Sequence, residues 1–163
     1  MKKIRMPNII SFIAIITIGL LSSSAFAIDN NASTTDDSTT GIVVKQITKE
    51  AQANKNWKTA FLTGKHAQIV FMNVSPATNP KNEIGMEKHP FDQMILVVEG
   101  HGKTILNGKT SMIKTGDLIF IPQGVNHDII NLDQNHPLKI ISFYSATDIA
   151  AKSEFKTKAS ASD

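Results

Sequence analysis

The sequence predicts an all-β fold, a barrel or sandwich forming a single domain. Runs of four to eight residues rich in β-branched and aromatic side chains recur between Thr59 and Tyr144. Gly, Asn and Asp turn signals separate them, and no long helical apolar period lies between. Short strands spaced by tight turns suit an antiparallel architecture closed on itself.

The chain opens with MKKIRMPNIISFIAIITIGLLSSSAFA: a basic head at Lys2, Lys3 and Arg5, an apolar centre from Ile9 to Leu21, and small residues at Ala25-Phe26-Ala27. This order reads as a secretory signal peptide over residues 1–27, cleaved after Ala27. The thirteen-residue apolar run falls short of the ~20 residues that span a bilayer, so no membrane association is expected after cleavage. Residues 28–41, IDNNASTTDDSTTG, are polar and aperiodic and read as a flexible linker. The expected location is outside the cytoplasm, periplasmic or secreted.

Ile42 to Thr48 reads as an edge strand, opening a barrel domain over residues 42–148. Thr59 to Thr63 and Gln68 to Ser75 flank Gly64-Lys65-His66-Ala67 as a hairpin. Further strands are expected at Gln93 to Glu99, Lys103 to Leu106, Thr110 to Ile113, Leu118 to Ile121, Asp128 to Leu132 and Leu138 to Tyr144. Asn107-Gly108 is the strongest hairpin signal among them. From Ala146 onward the chain turns polar, and residues 149–163 read as a C-terminal tail with at most one helical turn and a disordered end.

Charge and composition exclude several classes of function. The whole chain carries 17 Lys and Arg against 14 Asp and Glu. Three of those bases lie in the leader and none of the acids do, so the remaining 136 residues are neutral overall. Without a basic stripe and with few aromatics, the domain lacks the footprint of a nucleic-acid binder. Arg5 is the sole arginine, so the mature chain has no guanidinium fork for phosphate or carboxylate. Cysteine is absent; any metal must be held by nitrogen and oxygen donors, and no disulfide staples the fold.

Two segments concentrate the chemistry: GMEKHPFDQMILVVEG from Gly85 to Gly100, and GDLIFIPQGVNHDIIN from Gly116 to Asn131. Side chains alternate along an extended strand, so Glu87, His89 and Gln93 would share a face, and His127 would meet them from a second strand. Pro90 biases His89 towards an extended backbone. Two histidines and a carboxylate leave open positions on an octahedral metal. Gln93 can donate a carbonyl oxygen, or instead hydrogen-bond a substrate or a metal-bound water. Each candidate also has an ordinary structural reading: a packed barrel histidine for His127 and His89, a solvated loop carboxylate for Glu87. His66, His101 and His136 lie in turn signals and read as exposed loop histidines. Ile95, Val97, Phe120, Ile129 and Phe143 are candidate pocket walls, or ordinary core.

The second segment resembles the cupins, whose motif G-x5-P-x-G-x2-H-x3-N is met in full by Gly116, Pro122, Gly124, His127 and Asn131. The family's first motif, G-x5-H-x-H-x3,4-E-x6-G, is met by His89 and Gly100, with Glu87 in place of its first histidine and Gln93 in place of its glutamate. The pattern looks like a small single-domain bacterial subgroup, cupin type 2, labelled mannose-6-phosphate-isomerase-like. The resemblance implies a double-stranded β-helix, or jelly roll, that often pairs into a homodimer through sheet edges.

It further implies one divalent transition metal, iron, manganese, nickel or zinc, bound by Glu87, His89, Gln93 and His127. Those ligands would leave a net positive site suited to anionic or enolisable substrates. Glu87 would be the one base in that set, either ligating throughout or detaching to accept a proton. Two functions are consistent with this: a metal-dependent oxidoreductase, lyase or isomerase such as a dioxygenase, acting on a small organic molecule, and a non-catalytic envelope module that binds a sugar or other small ligand. A metal-free barrel that only dimerises is a third, structural reading. A phosphosugar isomerase fits less well with a chain that lacks mature arginine.

Overall fold

The computed structural model describes residues 41–79 and 81–161. The leader expected at 1–27 and all but Gly41 of the expected linker lie outside the described residues. Among the described residues, no helix is long and apolar enough to cross a membrane.

The strands in chain order are β1 (Lys58–Thr63), β2 (Gln68–Val74), β3 (Gln93–Glu99), β4 (His101–Leu106), β5 (Lys109–Lys114), β6 (Leu118–Ile121), β7 (His127–Asn131), β8 (Leu138–Tyr144) and β9 (Glu154–Phe155). A helix, α1 (Ile47–Ala53), precedes them. One sheet has the order β6-β3-β8-β2-β1-β9 and the other β5-β4-β7, with every pairing antiparallel. This is the jelly roll expected, and each anticipated strand from Thr59 to Tyr144 is present within two residues at either end. The Gly64 and Asn107-Gly108 hairpins are both formed.

Burial follows strand position. On the edge strand β6, Ile119 and Ile121 are buried while Leu118 and Phe120 are exposed, the period of a sheet with one covered face. On the inner strands β2 and β8 both faces are covered. Val70, Met72 and Ile140 enter the cluster between the sheets. Phe71 and Ile141 enter a smaller outer cluster beneath α1. At Gly102 a Cβ would stand 2.3 Å from the Ile130 carbonyl oxygen, so β4 can approach β7 there only as glycine.

The edge strand expected at Ile42 to Thr48 is not formed. Ile42 and Val43 are exposed, and the backbone turns through a left-handed Gln46 into α1. Ile47 and Ala51, four residues apart, form one helical stripe that packs on the outer cluster. Gln52 Nε2 donates to the Val98 carbonyl at 3.0 Å, and Lys139 Nζ donates to the Gln52 carbonyl.

The polar C-terminal segment is more closely attached to the barrel than its composition suggests. Ile149 and Phe155 pack against the inner cluster. β9 pairs with β1, setting Phe155 opposite Lys58. Lys158 Nζ donates to the Glu83 carbonyl at 2.9 Å. A 3-10 turn at Ala159–Ala161 supplies the helical turn anticipated there.

Candidate metal centre

The link between β2 and β3 runs beside β7 as an irregular extra strand. Ile84 N–H donates to the Ile129 carbonyl at 3.0 Å and Asn131 N–H donates to the Asn82 carbonyl at 2.8 Å. Glu87 and His127 close this ladder by exchanging both backbone hydrogen bonds, at 2.8 and 2.9 Å. Directly opposed residues of an antiparallel pair project to the same face, so the backbone alone aims the carboxylate and the imidazole together.

His89 lies on the same link, and its carbonyl accepts the Gly124 N–H at 2.9 Å. Gly124 adopts φ 79°, a left-handed conformation that suits glycine. The 122–126 turn thereby joins both histidines. The His89 ring stacks on Phe91, centroids 4.8 Å apart, and lies 5.2 Å from the His127 ring and 5.6 Å from Tyr144.

His127 is 2% exposed. Its Nδ1 lies 3.0 Å from the Val125 carbonyl. A carbonyl only accepts, so Nδ1 carries the proton and Nε2 presents its lone pair. That outer hydrogen bond is of the kind that orients metal-binding histidines.

Glu87 Oε2 lies 3.4 Å from His89 Nε2 and 4.0 Å from His127 Nε2, while Oε1 lies 4.0 Å from Lys58 Nζ. One potential ligand atom from each of Glu87, His89 and His127 falls within 4.8 Å of the others. Donors ~2.1 Å from one ion stand about 3.0–3.4 Å apart, so the set would draw together around an ion. Burial pushes the Glu87 carboxyl up, but the His89 contact and the Lys58 charge, joined by His89 and His127 whenever these are protonated, prevail, and its pKa lies below the ordinary 4.5. Burial, followed by the nearby Glu87 charge, drives the Tyr144 phenol well above its usual range, so it stays protonated.

Three buried polar atoms have no hydrogen-bond partner among the described residues: His89 Nε2, His127 Nε2 and Gln93 Oε1. Gln93 begins β3, and its Nε2 donates to Ser142 Oγ at 3.2 Å. Leaving one such atom unsatisfied costs about 1–3 kcal/mol. The His127 Nε2 lone pair and the Gln93 carbonyl oxygen are Lewis bases, and with the His89 imidazole and the Glu87 carboxylate they fit a cation. The residues present are therefore suited to a divalent metal.

Reasoning from sequence missed Lys58, Ser142 and Tyr144. Parity offered the signal: Lys58 shares numbering with buried Ala60, and Ser142 and Tyr144 share it with buried Ile140. Of the candidate walls, Ile95, Val97 and Ile129 belong to the inner cluster. Phe120 is 55% exposed and Phe143 joins the outer cluster, because each alternates with inward-facing neighbours. His66, His101 and His136 are exposed, and the last two lie 3.7 and 3.2 Å from Asp133 carboxylate oxygens. Asn131, the final residue of the second motif, holds loops rather than the centre. Its Nδ2 serves the carbonyls of Val74, Ser75 and His136, and its Oδ1 accepts the Asp133 N–H.

An open cavity of about 370 Å³, bounded by Lys88, His89, Pro90, Gln123 and Gly124, adjoins the centre at His89.

Residues 77–144 match the family model described as the cupin domain. The crystal structure of BH2720 from Bacillus halodurans is similar at 30% identity and a TM-score of 0.70, covering 78% of this chain and 98% of that one. Protein YrkC of Bacillus subtilis is 30% identical over 126 residues, 72% of this chain and 64% of YrkC. Protein L612 of Acanthamoeba polyphaga mimivirus is 29% identical over 111 residues, 66% of this chain and 67% of L612. The chain thus spans less than two thirds of YrkC. Sequence motif, strand order and the match to the family model agree: residues 77–144 of the chain are a cupin domain.

Proposed function

We propose that this protein is an exported metal-dependent cupin acting on a small organic molecule. Glu87, His89 and His127 hold one divalent transition metal, with Gln93 Oε1 as the fourth donor. Iron, manganese, nickel and zinc all suit this nitrogen and oxygen set. The observation that carries the reading is the meeting of buried, unpartnered His127 Nε2 with His89 Nε2 and an ionised Glu87.

When bound, the ion supplies Lewis-acid polarisation of an oxygen on the organic ligand. The protein's own groups orient that ligand and exclude water, and among the described residues Glu87 is the one carboxylate of the cluster, placed to accept a proton. The reaction class is an oxidation, lyase reaction or isomerisation. The leader-like residues 1–27 support export.

The test is elemental analysis of anaerobically purified protein beside His127→Ala. About one metal per chain in the wild type, lost in the variant, supports the reading. Absence of metal from the wild type after reconstitution with all four ions overturns it. Metal binding without turnover on a broad substrate screen would make the protein a ligand-binding module instead.

A further inference from the structure

We propose that Lys58 is the anion-recognition residue of this centre and that the ligand taken beside the metal is a small organic carboxylate. The inference rests on the metal-binding reading above and gives its substrate a chemical class.

Lys58 lies on β1 with its side chain 14% exposed. It faces inward by parity with Ala60, and its backbone is held by β2 on one side and β9 on the other. Its ionic partner is Glu87, at 4.0 Å from Oε1. The other oxygen, Oε2, faces the two imidazole nitrogens. The carboxylate is therefore divided, with one oxygen towards the metal donors and the other towards the ammonium.

The charges do not balance once the centre is filled. A divalent ion and Lys58 together carry three positive charges, against the single negative charge of Glu87. Gln93, Ser142 and Tyr144 are neutral, and among the described residues Glu87 is the only acid in the cluster of close ligand atoms. Charge drawn from Glu87 onto an ion leaves the ammonium under-compensated in a largely buried setting, which is costly unless an anion joins it.

The rings packed around His89 bear on the anion's other half. His89, Phe91 and Tyr144 form a contiguous aromatic set with centroids 4.8 to 5.6 Å apart. Such apolar surroundings suit the carbon skeleton of an organic acid better than a fully polar phosphate. A carboxylate needs one strong cationic donor beside the metal, which Lys58 provides without any arginine.

The test uses the full chain loaded with cobalt(II), whose visible absorption bands report ligand binding without turnover. Glycolate, its neutral amide glycolamide, and inorganic phosphate are titrated into wild type, Lys58→Met and Lys58→Arg. Each variant's cobalt stoichiometry and melting temperature are measured alongside. The expected result is that glycolate binds wild type and Lys58→Arg but at least about tenfold more weakly to Lys58→Met, while weak glycolamide binding is unchanged. All three proteins should still bind one cobalt. Equal glycolate affinity in Lys58→Met, with cobalt retained, overturns the role of Lys58. Lys58-dependent binding of phosphate but not glycolate overturns the carboxylate assignment. Failure of the wild type to bind cobalt instead brings down the metal-centre reading, and the inference with it.

Discussion

Glu87 and His127 are joined through their backbones before their side chains meet: each N–H donates to the other's carbonyl, at 2.8 and 2.9 Å. The pairing holds a carboxylate and an imidazole on one face without either side chain contributing to the fold at that point. Glu87→Gln should therefore retain the barrel and lose metal. Metal affinity measured by chelator competition should fall by more than the ~10–100-fold typical of losing a partner outside the ligand set, with an unchanged circular dichroism spectrum. Unchanged affinity would remove Glu87 from the site.

The same carboxylate predicts a pH effect in the metal-free protein. Burial opposes ionisation of Glu87, but its cationic neighbours depress its pKa below 4.5 in the folded state. A depressed acid contributes stability that is present above the unfolded pKa and lost as pH falls through the folded one. The melting temperature of wild type minus that of Glu87→Gln should thus shrink as pH is lowered below about 4.5. A difference that grows towards acid pH would show that burial outweighs the charges.

Gln93 invites the reverse substitution. Its Oε1 is buried without a hydrogen-bond partner, while Nε2 donates to Ser142 Oγ at 3.2 Å. Gln93→Glu adds a second interior carboxylate, which should tighten metal binding and destabilise the metal-free barrel by burying like charge. Gln93→Leu should weaken metal binding while leaving the metal-free protein as stable or more so. Parallel melting curves with and without metal test both; if neither variant changes affinity, Gln93 is not a donor.

Asn131 should behave differently from the metal candidates, although it belongs to the same motif. Fully buried, it serves three carbonyls and one N–H. Asn131→Ala should cost about 3 kcal/mol, a drop on the order of 10 °C in melting temperature. Its metal stoichiometry below that temperature should remain that of wild type. Loss of metal at full stability would show that Asn131 acts on the centre directly.

The strand plan from Thr59 to Tyr144 and three of the site residues' shared parity were legible because a period of two is a local property of extended chain. So was the turn at Gly124, since few residues adopt its backbone. Other features depended on neighbours. Ile42 to Thr48 looked like a strand until the outer surface of the six-stranded sheet gave Ile47 and Ala51 an apolar face to cover, which favours a helix. The tail looked unattached because its apolar anchors, Ile149, Phe155 and Ala161, are set singly among polar residues and become useful only against a formed inner cluster.

By itself, then, the sequence determined the all-β architecture, the absence of thiolate ligands and the identity of Glu87, His89, Gln93 and His127 as candidates, since these depend on residue type and local spacing. Only the tertiary structure decided which groups surround them. Lys58, Ser142 and Tyr144 reach the centre from strands 29 residues before Glu87 and up to 57 after it, a proximity created by strand order and inward pleat. The desolvation that leaves imidazole and amide atoms without partners, and sets an ammonium beside an ionised carboxylate, exists only once the two sheets have closed.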